Sequence, residues 1–463
     1  MPINSLREYL TLLDARDELT RVTVETDPVL EIAAITDRVC KRPAGGRALL
    51  FENPRGAGFP VATNLFGSPS RTCLALGVDQ LGSLTARMSA LLGRIHAPAL
   101  AQLDQQIGAL PEFSRFAALQ LPPGWTEVMQ HPDLTVFPFL QSWPGDGAAG
   151  GHPRYITLPQ VFTANPDGSA PNCGMYRAQL LGPRELAIRW KAGSGAARHL
   201  AAFQRLGKPL PVAIALGGDP ACLFSAMLPL PGELDEMTFA GFLRGVSIGM
   251  AACRTNPLQV PSQADVVIEG FVDPAETALE GPFGNHTGYY SPAGPAALMR
   301  VTAISLRPGA IVPATVVGPP PMEDCWMAKS WERLLLAFLQ KLAPSINDIH
   351  FPLEWIFHQS AIISLEKPLP GVVREIAALL WAMPWFSAAR LLVFVDAEVG
   401  SAGLSGVAWH AINLPGLTRN LFHDSDHKRL ALDATNGSAS RLPLCSDPAI
   451  NLLLQRRWQE YGI

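Results

Sequence analysis

Between Leu134 and Val317 the chain sets short β-forming runs close together, and that spacing limits its fold more than any other feature. The runs are Tyr155–Phe162, Leu186–Trp190, Val212–Leu216, Val266–Ile268 and Leu298–Ile304, separated by Gly, Pro, Asn and Asp turns. One stretch among them, Asp235–Met250, has helical spacing. Closely spaced strands with turn signals predict a barrel or closed sheet rather than alternating βαβ units. The 40 glycines and 42 prolines, 82 of 463 residues or near 18% against a usual ~12%, disfavour a helical bundle or a coiled coil.

The flanks read differently. Ser5 with Glu8 three residues on makes a capping box, and Leu6, Tyr9, Leu10 and Leu13 follow the spacing of an amphipathic helix. Leu19–Val24 alternates like a strand, Pro28–Val39 returns to helical spacing, and Arg47–Glu52 and Pro60–Leu65 read as strands, so the first hundred residues form an α/β unit. Ala97–Pro123, rich in Ala and Pro, reads as a linker. After Gly318, Leu334, Leu335, Phe338, Leu339 and Leu342 share a helix face, and Ala361–Leu365, Val372–Met383 and Leu391–Val395 alternate strand, helix, strand. A chain about three times a typical domain of ~150 residues divides into two or three domains.

Composition narrows the function classes. With 36 basic and 40 acidic residues, a balance of −4 and no Lys/Arg block, a nucleic-acid footprint is absent. The longest uncharged apolar stretches, Gly309–Met322 and Ile376–Ala389, contain proline and fall short of the roughly 20 residues a membrane span needs. The N-terminus carries charges throughout and does not read as a signal peptide. Seven dispersed cysteines without a C-x-x-C pair read as reduced thiols, which together predict a soluble cytoplasmic protein.

Three segments could carry chemistry. Asn172–Arg177 offers an amide oxygen and a guanidinium, whose fork suits carboxylate or phosphate unless Arg177 serves a structural pair. In Leu186–His199 a strand runs into Gly193-Ser-Gly195 with Arg189, Lys191 and Arg198 around it; the turn is either an anion nest or an ordinary hairpin turn. Its G-x-G is no dinucleotide fingerprint, because Arg198 stands at the third glycine position. Glu280–Tyr290 packs three glycines and a proline around Glu280, a possible general acid or base, and His286, either a switchable partner of it or a hydrogen-bonded structural group. No H-x-x-x-H or G-x-S-x-G is present. The residues thus point to an enzyme with a phosphate-bearing ligand, an arginine and a carboxylate, and do not name its reaction.

These segments, with Leu6–Arg16, Glu18–Arg21, Asp27-Pro28, Leu50–Asn53, Asn64–Gly67, Tyr155–Leu158, Val317–Pro320, Glu323-Asp324 and Leu432–Thr435, resemble the UbiD-type (de)carboxylases, which use prenylated flavin mononucleotide. The resemblance runs nearly end to end. It implies an α/β (α+β) protein with an N-terminal α/β domain over 1–115, a split-barrel-like flavin domain over 116–317 and a C-terminal α/β oligomerisation domain over 318–463. It also implies a dimer or hexamer of like subunits, a flavin prenyltransferase as cofactor supplier, and an aromatic or α,β-unsaturated acid as substrate. Asn172 and Glu236 match positions that hold a divalent metal, usually manganese, with potassium as a further cation. Thr157, Met175, Tyr176, Arg177, Arg189, Trp190, Lys191, Ser194 and Gly195 match cofactor-binding positions.

Two departures stand out. Gly193 occupies the place where some members carry a further metal-binding histidine, which implies an ion held more weakly or with more water. Asn285 replaces the acid of E-G-P-[FY]-G-[DE], and an amide does not titrate, so of the catalytic positions Arg177, Glu280 and Asn285 only the first two keep the Arg–acid–acid network. The expected activity is a reversible decarboxylation, of a hydroxyarene acid such as a 4-hydroxybenzoate among others. The alternatives are a cofactor-binding subunit of a larger aryl carboxylase, motivated by Asn285, and a plain FMN oxidoreductase, for which no nicotinamide site speaks.

Overall fold

Alternation along the strand Leu210–Leu216 organises the centre of the protein. Leu210, Val212, Ile214 and Leu216 enter one hydrophobic cluster with Phe137, Phe139, Ile188 and Ile268. Ala213 and Ala215 face the other way, into a cluster with Cys173, Cys222, Met237, Ala240 and Val267. Successive strand residues point to opposite sheet faces, so one face carries branched side chains and the other small ones. On the small-residue face the helices Pro220–Met227 and Glu236–Arg244 can approach closely.

The computed structural model describes residues 3–96, 100–108, 110–149, 152–228, 230, 234–366, 371–386, 388–414, 416–426, 428–435, 444 and 446–462. It contains two compact units, Met1–Pro344 with Leu353–His358, and Ser345–Pro352 with Gln359–Ile463.

In the first unit the central sheet has nine strands, in the order Tyr155–Ile156, Ala178–Gly182, Glu185–Ile188, Gly294–Leu306, Val266–Glu280, Leu210–Leu216, Gln160–Thr163 and Asn172–Gly174, with Glu127–Val128 pairing off this path on Gly294–Leu306. Its ladders are antiparallel. A smaller sheet, Leu19–Val22, Ala48–Phe51, Val61–Thr63 and Val312–Pro313, closes the N-terminal part with a strand from far along the chain. The first helix, Leu6–Ala15, starts where the capping box predicts: Ser5 Oγ accepts from Glu8 N–H at 3.2 Å. Its reciprocal arm is displaced by one residue, since the Glu8 carboxylate accepts from Asn4 N–H at 2.8 Å.

Three expectations need correction. Ala97–Pro123 is no linker over its described part. It holds the helices Leu100–Ile107 and Pro111–Ser114 and the strand Leu119–Gln120, because Leu103, Ile107 and Phe113 are buried and Phe113 packs on Phe239 and Phe242. The helix expected over Asp235–Met250 ends at Arg244, where Gly245 takes a left-handed conformation (φ 80°), and Gly249–Ala252 is a strand. Gly193-Ser-Gly195 is no hairpin turn: it opens the helix Gly195–Leu206, whose N-cap Ser194 accepts from Ala197 N–H.

The second unit is a five-stranded sheet in the order Ile346–His350, Ser360–Leu365, Leu391–Asp396, Leu430–Ala434, Leu421–His423. Its three central strands are parallel and joined through the helices Val372–Ala382 and Leu404–Ile412, as parallel neighbours require. Among the described residues no helix is long and apolar enough to cross a membrane, and Cys40, Cys73, Cys173, Cys222, Cys253 and Cys325 are free thiols. Cys445 lies outside the described residues.

Candidate active site

The register of one hairpin brings two cations side by side. Ile188 pairs with Ala178, so Arg189 leaves its strand beside Arg177, which enters the neighbouring one. Glu280, the last residue of Val266–Glu280, fills the space between them. Its Oε1 accepts from Arg177 Nε at 2.6 Å, and its Oε2 accepts from Arg177 Nη2 at 3.2 Å. The same Oε2 lies 2.8 Å from Arg189 Nε. Arg189 also donates to the carbonyls of Glu280 and Pro292, at 3.2 and 3.0 Å. The Glu280 side chain is 0% exposed, the arginines 23% and 26%. A buried carboxylate is tolerated only when paired, and here one negative charge meets two positive ones. The cluster keeps a surplus positive charge on its exposed side, suited to an anionic ligand.

The segment after Glu280 is tied down by residues remote in sequence. Gly281 N–H donates to Gln179 Oε1 at 2.8 Å, Tyr155 Oη donates to the Pro282 carbonyl at 3.0 Å, and Gly284 N–H donates to Asp146 Oδ1 at 2.8 Å. Burial raises the Asp146 carboxyl, opposed by backbone donors from Gly284, Trp143 and Ser142. Phe283 lies 4.8 Å from the Tyr155 ring and takes the Arg177 guanidinium on its face at 4.6 Å, a cation–π contact. Phe283–Gly284 then pairs with Tyr290–Ser291. In the turn between them Asn285 Oδ1 accepts from Thr287 N–H and Oγ1 at 2.9 and 2.6 Å, and its Nδ2 donates to Ser291 Oγ at 2.8 Å. Its carboxamide thus closes an Asx-type turn and lines a cavity of about 120 Å³ with Trp143, Tyr290 and Pro319. His286 Nε2 stands 3.1 Å from Nε2 of His358.

At the sheet edge formed by Asn172–Gly174 the expected metal and cofactor positions converge. Thr163 pairs with Asn172 and its hydroxyl meets His199 Nδ1 at 2.9 Å, which sets the start of the helix Gly195–Leu206 against Asn172. A Cβ on Gly195 would stand 1.7 Å from Asn172 Oδ1. Cys173 N–H donates to Glu236 Oε2 at 2.9 Å, and Asp235 caps that helix through Thr238. Burial pushes the Glu236 carboxyl up to about 8. Tyr176 folds over Gly174, where a Cβ would meet its ring at 2.2 Å, and its hydroxyl interacts with Ser194 and Asn172. Trp190 Nε1 is buried without a hydrogen-bond partner.

Among the described residues no three His, Cys, Asp or Glu converge. An ion here would be held by the Glu236 carboxylate and the Asn172 amide oxygen, completed by ligand or water oxygens, as suits a hard divalent cation. Of the other expected positions, Met175 N–H donates to the Ala226 carbonyl at 2.9 Å, Lys191 is exposed, and Thr157 is buried with its hydroxyl accepting from Thr315 N–H at 3.0 Å. Gln179, Asp146 and His358 escape sequence reasoning. Only Asp146 carries a signal there, lying in the glycine-rich stretch 145–151.

Residues 119–320 match the family model described as the 3-octaprenyl-4-hydroxybenzoate carboxy-lyase Rift-related domain. Residues 10–91 and 325–442 match the N-terminal and C-terminal domains of the same carboxy-lyase. An uncharacterized protein of Archaeoglobus fulgidus is 36% identical over 410 residues, 88% of this chain and 84% of the relative. One of Synechocystis is 33% identical and spans 99% of this chain and 96% of its own. An evolved dimeric form of the UbiD-class enzyme HmfF from Pelotomaculum thermopropionicum, in complex with prFMN, superposes with a TM-score of 0.81 at 26% identity, covering 97% and 98% of the two chains. Vanillic acid decarboxylase of Sedimentibacter hydroxybenzoicus in closed form shares the fold, with a TM-score of 0.82 at 22% identity over 99% and 98% of the chains.

Proposed function

The chain belongs to the UbiD family of carboxy-lyases, and from that membership we propose that it is a prenylated-FMN-dependent, reversible decarboxylase of an aromatic or α,β-unsaturated carboxylic acid, a hydroxyarene acid such as a 4-hydroxybenzoate included. The observation that carries this reading is Glu280, fully buried between Arg189 and Arg177, whose guanidinium lies on the face of Phe283. Losing CO₂ leaves an electron pair on carbon, and the prenylated flavin supplies the place for that pair when bound.

The chain's own residues do the rest. Arg177, half-shielded and backed by Phe283, orients the substrate carboxylate with the surplus charge of the cluster. Glu280 holds both guanidiniums so that this charge is preorganised rather than mobile. Asn172 and Glu236 would hold a divalent ion, manganese in this reading, with potassium as a second cation. The fit rests on the Gly195 surface that admits the Asn172 carboxamide oxygen and on a buried Glu236 carboxyl that gains from a neighbouring cation. Ser194, Gly195, Tyr176 and Trp190 would wall the cofactor.

The test is co-expression with a flavin prenyltransferase, absorbance and mass of the bound cofactor, and CO₂ release from a panel of aryl and acrylic acids. Absence of both bound flavin and CO₂ release would overturn the reading. A second reading, a cofactor-binding subunit of a larger aryl carboxylase, is favoured by Asn285, whose carboxamide is committed to its turn. Turnover by the purified protein alone separates the two.

A further inference from the structure

Decarboxylation consumes a proton: the carboxylate leaves as CO₂, its bonding pair stays on carbon, and a new C–H bond takes up H⁺. The hairpin beyond Glu280 offers few sources. Asn285 does not titrate and spends its amide on Thr287 and Ser291. Each oxygen of Glu280 faces a guanidinium, so a proton on either would displace one. The Tyr290 hydroxyl accepts from Gly145 N–H at 2.9 Å, and Tyr289 is 78% exposed at the tip. His286 remains, three residues beyond the ring that holds Arg177.

His286 is paired in an unusual way. Its Nε2 and that of His358 lie 3.1 Å apart, close enough to share one proton, with the rings edge to face at 4.3 Å and Phe357 packed against both. The other nitrogen of His358, Nδ1, is buried with no hydrogen-bond partner. That nitrogen therefore keeps a free valence for a proton or a ligand.

Resting on the decarboxylase reading, we propose that His286 delivers the proton that replaces CO₂, and that His358 is the positioning residue that aligns it and resupplies the proton through the Nε2–Nε2 contact. In the step the imidazolium N–H bond breaks, its pair returns to the ring, and the C–H bond forms on the pair left by CO₂; water then reprotonates the neutral histidines. No oxidant or reductant is needed. The charged or titratable groups acting on His358 are His286 and the Lys191 ammonium, neither of them acidic, and on His286 burial alone acts. Burial lowers His286, and burial followed by His286 and Lys191 lowers His358 to about 4. The pair therefore rests neutral and, once protonated, is a strong donor, which favours transfer to carbon.

The experiment uses the cofactor-loaded full chain and its His286→Gln, His286→Ala and His358→Gln variants. Cofactor absorbance and mass should match wild type in all three. His286→Gln should slow deuterium incorporation from D₂O into product by ~10²–10⁴-fold, and added imidazole should restore His286→Ala. His358→Gln should slow it by about 10-fold and shift the pH profile toward that of a lone imidazole. In the cofactor-free protein, histidine NMR should show the two rings titrating as a coupled pair below the ordinary histidine value. Wild-type rate and pH profile in His286→Gln, no imidazole rescue, or independent titration of the rings would each overturn the assignment. A wild-type protein that binds the cofactor and releases CO₂ from no acid would instead overturn the decarboxylase reading.

Discussion

Gly195→Ala separates the proposed ion site from the fold more cleanly than removal of a ligand. Gly195 is the first residue of the helix Gly195–Leu206, and alanine is the better helix former, by up to about 1 kcal/mol at an interior position. The helix should be no weaker. The new methyl, however, would stand 1.7 Å from Asn172 Oδ1 and 2.4 Å from its Cγ, where real contacts of this kind are not found below 3.0 Å. Asn172 is held in the sheet opposite Thr163, so its backbone cannot follow, and its carboxamide oxygen must retreat by at least 1.3 Å, the difference between those two distances. Metal–ligand distances tolerate only about 0.2 Å. Even disturbing groups that merely orient a ligand costs ~10–100-fold in metal affinity; displacing the ligand itself should cost at least that. The assay is a Mn²⁺ titration followed by electron paramagnetic resonance or calorimetry, beside urea unfolding and flavin occupancy. Glu236→Ala serves as the reference for a lost ligand and should lower occupancy likewise. A Mn²⁺ affinity within about twofold of wild type, well short of the loss expected for even an outer-sphere defect, would remove Asn172 from the proposed ion site.

Arg177→Ala should abolish turnover, by ~10²–10³-fold or more for a lost preorganised donor, and spare the fold as judged by circular dichroism; wild-type activity would end its assigned role. Asn285→Asp should leave deuterium incorporation unchanged, because a carboxylate in that turn still accepts from Thr287 N–H and Oγ1 and stays ionised; faster incorporation would mean that an acid there reaches the reacting carbon. The His358 value of about 4 predicts a pH dependence of stability. A histidine whose folded value lies below its unfolded one contributes stability that is present above about 6.5 and lost as pH falls toward 4. Urea midpoints of wild type should therefore decline over that window, and those of His358→Gln should decline less.

Much of the architecture is local and so legible in the residues. Ser5 caps its helix because the acceptor and the Glu8 N–H are three residues apart, and the alternation in Leu210–Leu216 assigns faces without knowledge of any partner. Errors arose where a local signal met a competing one. Helical spacing ran past Arg244, but Gly245 turned the chain left-handed. The Ala- and Pro-rich 97–123 stretch suggested a linker, but buried Leu103, Ile107 and Phe113 gave its helices a surface to pack on.

The site divides the same way. Arg177 and Glu280 stand out in sequence as an arginine and a carboxylate in turn-rich segments, yet nothing within either segment tells that they meet across 103 residues or that Arg189 shares the same carboxylate. Strand register decides that, by setting Ile188 opposite Ala178. Asn285 is readable as the loss of an acid; only the folded hairpin shows its amide engaged by Thr287 and Ser291. His358 lies 72 residues from His286 in an unremarkable stretch of sequence. Caps, turns and alternation depend on neighbours a few residues away and are written in the chain, whereas the pairing of charges and imidazoles depends on which distant elements share a buried face, and packing alone determines it.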